Sequence, residues 1–440
     1  MKQIPAPHKN PGIIDVIREY FRPLYLRNIY FRAFPSRKPA EFDNCWNFPH
    51  VPVAECLSLL DKPIDKTLSG VRDFLIFPMT DWHARIQRSQ FFAKTLAAFG
   101  HRCFLLNPHL GREFRGGGEA PVQLARLAEN IYELHVRLPR EPVYHHRNLS
   151  EKESQMLCAA VLTLIEHGGL SNVTQLVSFP GWFRLAQLIK SGCGSTLIYD
   201  CHDRLDGFTG MANEIVALEP AFIAASDWVI CSAESLRAHC VAQGAAEERC
   251  IVVRNAVTAN EATGRCIPPI RVAGAPPVIG YLGALEEWFD GDTIRSAAVA
   301  RPDWRFVIAG RVESPALNSL LRLPNVEFTG EIAREKVPEI LSRFDVATIP
   351  FRLNPLTLGA DPIKLYEYLA AGLPVVSSRL PETLRFENLM HYYDNAADFV
   401  RAIELALAER GKAERRERKL AVKDETWESR CLQILGLAAS

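Results

Sequence analysis

Short apolar runs alternate with segments of helical period along most of this chain. FLIFPM from Phe74 reads as a strand, Phe91 to Phe99 carries helical spacing that Gly100 stops, and CFLLN from Cys103 makes the next strand. Beyond Leu134 the alternation continues with a helix over Met156 to Ile165, a strand over Val173 to Phe179, a helix over Trp182 to Ile189 and a strand over Thr196 to Tyr199. A helix over Asn213 to Ala225, a strand over Trp228 to Cys231 and a helix from Glu234 lead to IVVRNAV, Ile251 to Val257. The rhythm restarts at VIGYLG from Val278, followed by strands RFVIAG from Arg305, NVEFTG from Asn325 and DVATIP from Asp345, with a helix from Glu335 to Phe344. Strands spaced by helices in this way predict parallel sheets covered on both faces. The fold class is therefore α/β with two Rossmann-like domains, residues 71–258 and 277–410, joined by a linker at 259–276 that carries proline and glycine. Residues 1–70 show no clear period and form an N-terminal extension, and Arg401 to Leu437 reads as terminal helices.

The stretch TLGADPIKLYEYLAAGLPVVSS, Thr357 to Ser378, concentrates the chemistry of the second half. Asp361 is placed to cap a helix beginning at Pro362, Gly372 to end it, and Pro374-Val375-Val376 to form the next buried strand. Lys364 and Glu367 then share a helical face. A cation and a carboxylate near a helix N-terminus at the edge of a nucleotide-binding sheet suit a diphosphate and ribose hydroxyls. The competing reading is a surface ion pair worth under ~1 kcal/mol.

Two further loops fall at strand ends. YDCHDRLDGF, Tyr199 to Phe208, is the densest cluster of titratable groups in the first half, and Asp203, with His202 second, is the candidate base for an acceptor hydroxyl. Alternatively its carboxylates cap a helix near Met211 and pair with Arg204. The loop Thr80 to Arg88 offers Asp81, Trp82, His83, Arg85 and Arg88 for an acceptor, with Arg85 and Arg88 the acceptor-side candidates; a polar loop around a buried Trp82 is the plain alternative. In the second domain Gly280 and Gly283 fit a strand-to-helix turn, while Glu286, Glu287 and Asp290 beyond it would repel a phosphate, which leaves Lys364 with Arg311 or Arg352 to neutralise one.

Composition narrows the class. Of 440 residues, 48% are hydrophobic and 23% charged, ordinary for a globular chain with two cores. Lys and Arg together number 51 against 51 acidic residues, so no general attraction draws nucleic acid to the chain. The 11 cysteines include no C-x-x-C pair, which points to reduced thiols in a cytosolic compartment, most of them small core residues. His145-His146 lacks metal-ligand spacing and is read as structural, so no metal site is expected. No apolar run approaches the ~18 residues of a membrane span, and no signal-peptide pattern follows Met1. A cytoplasmic protein is expected. Arg18 to Lys38 interleaves arginines with aromatics and leucines, either to lie on an anionic membrane surface as a peripheral contact or to pack on the main body, with Pro23 interrupting any long helix.

The string P-x-K-x-x-E-Y-x-A-x-G-x-P-V-V, from Pro362 to Val376, resembles the donor-sugar signature of GT-B glycosyltransferases, particularly the retaining family-four (group 1) bacterial enzymes. The Y-D-x-x-D loop at Tyr199 and the V-x-x-N-x-V segment at Val252 are similar to features of the same enzymes. The resemblance implies two domains facing a cleft, C-terminal helices over 411–440 that brace the first domain, and Glu367 holding the nucleotide ribose. It also implies a nucleoside diphosphate sugar as co-substrate, a saccharide or lipid-linked acceptor, and transfer of a hexosyl unit in bacterial cell-surface polysaccharide or glycolipid synthesis. The donor set expected on this basis is Gly283, Arg311, Gly359, Lys364 and Glu367. Where the family often has a second glutamate, eight positions before Glu367, this chain has Gly359, whose backbone amide is the expected substitute. Other readings are a non-catalytic protein that binds sugar nucleotides or saccharides, a sugar-nucleotide epimerase, and a nicotinamide-dependent oxidoreductase, the last lacking a complete G-x-G-x-x-G after a strand.

Overall fold

The computed structural model describes residues 48–61, 70–83, 86–110, 121–138, 147–264, 274–312, 315–409 and 412–439. Among the described residues, Phe48 and 81–83 belong to one unit and the rest to another. Within the described part of the first, the Phe48 and His83 rings lie 5.7 Å apart and Asp81 Oδ1 accepts the His83 N–H at 2.7 Å. Arg85 and the Arg18 to Lys38 segment fall outside the described residues.

The larger unit holds two sheets. The first contains β1 (His50–Pro52), β2 (Asp73–Phe77), β3 (Arg102–Leu110), β4 (Val122–Ala128), β5 (Ile131–Leu138), β6 (Val173–Val177), β7 (Thr196–Cys201), β8 (Trp228–Cys231) and β9 (Cys250–Val252). They run in the order β1-β4-β5-β3-β2-β6-β7-β8-β9. From β5 to β9 all pairs are parallel, with every residue of β2 and β6 buried, as a sheet covered on both faces requires. β4 and β1 add an antiparallel edge that the strand-helix rhythm does not announce, because the β4–β5 hairpin turns at Asn130, whose φ is 56°, with no glycine to mark it.

The second sheet is parallel throughout: β10 (Val278–Leu282), β11 (Arg305–Ala309), β12 (Val326–Gly330), β13 (Val346–Ile349), β14 (Val375–Ser378) and β15 (His391–Tyr393), in the order β12-β11-β10-β13-β14-β15. The chain reverses direction across the sheet between β10 and β13. At such a switch point the carboxyl ends of strands open a crevice for ligands.

Several helices differ from the sequence reading. The expected helix over Asn213 to Ala225 is two, Asn213–Val216 and Glu219–Ala225, broken where Pro220 starts the second. Glu335 to Phe344 is a 3-10 turn, Arg334–Lys336, followed by Val337–Leu341 with Pro338 in its first turn. The expected linker opens with a helix, Ala259–Thr263, and residues 265–273 lie outside the described part. At the C-terminal end, helices Ala396–Ala408, Lys412–Ala421 and Trp427–Ala439 follow one another. The last crosses back to the first sheet's helix Arg88–Ala98: the Trp427 ring stacks on Phe91 at 4.7 Å and meets Phe92 edge-on at 5.5 Å. Buried aromatic faces of this size make that brace a large apolar contact.

Candidate active site

The helix Ile363–Ala370 enters the second sheet's switch point, and Lys364 leans from its first turn toward the carboxyl end of β10. Its Nζ donates to Tyr281 Oη at 3.3 Å and lies 4.8 Å from the Tyr281 ring and 4.6 Å from that of Phe351. Gly283, which follows β10 at φ 146°, is the close neighbour: a β-carbon there would fall 2.7 Å from Lys364 Nζ. Gly310 at the end of β11, φ 154°, approaches so near that a β-carbon would fall 1.8 Å from the Gly283 carbonyl oxygen. Two glycines in backbone conformations open to few other residues thus let the strand ends crowd together beside an ammonium group.

Glu367 turns to a different partner. Buried at 7% exposure, its Oε1 accepts from Arg334 Nη1, while Arg334 Nη2 donates to Glu261 at 2.6 Å. The Arg334 guanidinium lies 5.2 Å from the centre of the Phe91 ring, so the cation bridges the second lobe to a helix of the first. Asp361 does not cap the helix as its sequence position suggests: Pro362 is the N-cap, with no side-chain cap. The Asp361 carboxylate accepts the Asn255 backbone N–H at 2.6 Å and the Tyr366 hydroxyl at 3.0 Å, while Asn255 Nδ2 donates to the Asp361 carbonyl at 2.5 Å. Burial, with Glu382 nearby, pushes the Asp361 carboxyl up to about 6.

Across from this helix the loop after β7 comes into contact. A β-carbon on Gly359 would lie 3.0 Å from Arg204 Cγ and 3.1 Å from Leu236 Cδ2, and one on Gly207 would lie 2.7 Å from Leu356 Cβ. The Thr209 N–H donates to Glu287 at 3.0 Å, the Phe208 and Trp288 rings sit 6.3 Å apart, and Ser235 Oγ donates to the Leu358 carbonyl at 3.1 Å. In this loop His202 Nδ1 donates to the Asp200 carbonyl at 3.2 Å, and Nε2 lies 3.6 Å from Asp203 Oδ2. Arg204 pairs with Asp206 at 2.6 Å, as the plain reading of this loop foresaw.

Arg88 stands elsewhere than a ligand-facing position. It is the first residue of helix Arg88–Ala98, not part of the preceding loop, and is 3% exposed. Its Nε donates to both Asp200 oxygens at 2.9 and 3.1 Å, Nη1 to Asn255 Oδ1 at 3.0 Å and Nη2 to the Val253 carbonyl at 2.6 Å. Such complete pairing is what permits a buried guanidinium. Arg311 is exposed just beyond β11, its carbonyl accepting the Leu285 N–H at 3.1 Å, and Arg352 pairs with Asp292 at 3.0 Å. The acidic loop is partly engaged: Asp290 caps helix Gly291–Ala300 through Thr293, and Glu287 holds the Thr209 amide.

Residues 276–409, the second sheet with its switch point and the Lys364 helix, match the family described as glycosyl transferases group 1. The second lobe is a group 1 glycosyltransferase domain. TuaH of Bacillus subtilis (strain 168), provisionally named a teichuronic acid biosynthesis glycosyltransferase, is 29% identical over 282 residues, 59% of this chain and 70% of TuaH. Among solved structures, the sucrose-phosphate synthase of Thermosynechococcus elongatus superposes at TM-score 0.63 with 16% identity, covering 84% of this chain and all of that one. A glycosyltransferase from Rickettsia africae superposes at 0.60 with 11% identity, over 84% and 98%. The E. coli structure described as trehalose-6-phosphate bound with UDP-2-fluoro glucose does so at 0.59 with 13% identity, over 84% and 99%. The chain has the GT-B fold: two Rossmann-like lobes facing a cleft, with helices that cross back from the C-terminus.

Within the glycosyltransferase domain the motif residues Gly283 and Lys364 come together, and Gly359 faces the loop that carries His202 and Asp203. Sequence reasoning missed Arg334, Asn255 and Asp361 as bridging groups. No periodicity signals them, since Arg334 reaches Glu367 from a 3-10 turn and Asn255 reaches Asp361 across 106 positions. Among the described residues, no helix is long and apolar enough to cross a membrane.

Proposed function

We propose that this protein transfers a hexosyl unit from a nucleoside diphosphate sugar to a hydroxyl of a saccharide or lipid-linked acceptor in bacterial cell-surface polysaccharide synthesis. The observation that carries the reading is Lys364 Nζ, set beside Gly283 at the switch point of the glycosyltransferase domain and across the cleft from the His202–Asp203 loop. The relative named for teichuronic acid biosynthesis supports the polysaccharide context.

In this mechanism the donor's diphosphate lies against Lys364, where negative charge grows as the sugar departs. Glu367, with Oε1 held by Arg334, presents Oε2 to a ribose hydroxyl. The Gly359 amide, expected from the sequence to serve the sugar, instead donates to the Leu356 carbonyl at 3.1 Å as the C-cap of helix Pro355–Leu358, and exposed Arg311 adds positive charge near the phosphates. On the facing loop, Asp203 or the Nε2 of His202 takes the proton from the attacking hydroxyl. The reaction uses the sugar nucleotide as co-substrate and no further cofactor.

Two stereochemical courses fit these groups. A base on the first lobe acting opposite the leaving diphosphate gives inversion; proton transfer to a departing phosphate oxygen on the same face gives retention. The anomeric form of the product separates them. The reading itself is tested by thermal shift with uridine, guanosine and adenosine diphosphate sugars. One of these is expected to raise the melting temperature of the wild type and to do so less in Lys364→Ala. No stabilisation by any sugar nucleotide, with NAD or a free saccharide stabilising instead, would overturn it.

A further inference from the structure

Four cysteines dispersed in the sequence meet under the loop that carries His202 and Asp203. Cys201 ends β7, Cys231 ends β8 as its register partner, and Cys250 begins β9 opposite Val229, two residues before Cys231 and so on the same sheet face. Cys240 reaches that face from the helix Glu234–Ala242. All four are at most 1% exposed.

The Cys231 sulfur lies 3.8 Å from those of Cys240 and Cys250, and the sulfurs of Cys201, Cys231 and Cys240 lie within 4.8 Å of one another. A tetrahedral zinc with bonds of about 2.3 Å spaces its sulfurs about 3.8 Å apart. One such pair is simply two thiols in contact. Cys250 stands outside that group of three but lies 3.8 Å from Cys231, so three mutually close thiols with Cys250 as the fourth, contributed by three strands and a helix, supply the ligand number and softness of a tetrathiolate site.

We propose that Cys201, Cys231, Cys240 and Cys250 bind a divalent, thiophilic ion of the zinc class as a structural site. Each thiol releases its proton to solvent on ligation, and the ion offsets two of the four resulting charges. Arg237, whose Nε donates to the Cys250 carbonyl at 2.8 Å, and His239, 3.1 Å from Glu219, stand beside the cluster. Because Cys201 immediately precedes His202, the ion would tie the carboxyl ends of β7 and β8 to the start of β9 next to the proposed base. The proposal does not depend on the identity of the sugar donor.

The test is elemental analysis of the full chain purified under reducing conditions from zinc-replete cells, followed by cobalt replacement. About one zinc per chain is expected to survive dialysis, and cobalt should give the intense visible bands and sulfur-to-metal band of a tetrahedral thiolate site. Cys231→Ala and Cys240→Ala are expected to lower the metal content at least about tenfold, while Cys56→Ala, a buried thiol outside the cluster, leaves it unchanged. Should the cluster variants fail to fold, a mercurial titration of the wild type replaces them, with zinc released in step with modification of four thiols. Absence of zinc together with absence of the cobalt bands overturns the proposal. So does an intact mass showing that these cysteines are paired as disulfides.

Discussion

Lys364 and Gly283 occupy one another's space: a single added carbon on the glycine would stand 2.7 Å from the lysine's Cε and Nζ. Gly283→Ala therefore meets two obstacles, a displaced ammonium group and a backbone φ of 146° that alanine resists at a cost of about 1–3 kcal/mol. The expected outcome is a lower melting temperature together with weaker sugar-nucleotide binding, read by thermal unfolding and by donor KM. If only stability falls and the donor KM stays at its wild-type value, Lys364 does not depend on that glycine for its placement.

The pairing of Asp361 with Asn255 gives the fold a pH dependence of definite sign. The Asp361 carboxyl is raised from 3.8 to about 6, burial being the main cause and Glu382 the next. An acid raised in this way binds its proton more readily in the folded state. Its stabilising contribution is thus complete below the unfolded value and is lost as pH rises through about 6. Asp361→Asn keeps an acceptor for the Asn255 amide and cannot ionise. Relative to the wild type, the variant should gain on the order of 2–3 kcal/mol of unfolding free energy between pH ~4 and pH ~8, measured with urea. A difference between variant and wild type that is flat with pH would show that the carboxylate is not held in this environment.

Arg88 is expected to act on stability. Removing its guanidinium leaves the Asp200 carboxylate, 0% exposed, without its cation, so Arg88→Ala should cost about 3–5 kcal/mol. Adding Asp200→Asn should cost less than the sum of the separate changes, because the stranded charge is gone. Chemical unfolding of the two single variants and the double variant measures this coupling. A stable Arg88→Ala protein with weakened acceptor binding would return Arg88 to the acceptor side.

The loop after β7 separates binding from chemistry. Asp203→Asn and His202→Ala are each expected to lower turnover about 10²–10⁴-fold with donor affinity retained, as removal of a proton acceptor should. Comparing the two identifies the base: the residue whose loss removes the acidic limb of the pH–rate profile is the proton acceptor. Unchanged turnover in both variants would assign this loop to positioning alone.

What could be read along the chain follows from how local each feature is. The order of strands and helices was legible because burial on two faces imposes apolar runs, and the Pro362 to Val376 string was legible because one helix and one strand carry it. Distant pairs were not. Arg88 and Asp200 lie 112 positions apart, and Asp361 looks like a helix cap until Asn255 claims its carboxylate. The edge strands β1 and β4 were missed because they pair antiparallel on a sheet whose pattern is parallel. The four cysteines showed no metal-ligand spacing for the same reason, since their meeting is a property of sheet register and not of sequence distance.

The most direct test of the account is the rate at which the purified protein releases nucleoside diphosphate from its stabilising sugar donor, compared between wild type and Lys364→Ala at saturating donor. If Lys364 neutralises the leaving group, the variant should turn over about 10²–10³-fold more slowly while unfolding at nearly the wild-type temperature. A folded Lys364→Ala protein that turns over at the wild-type rate would contradict the assignment.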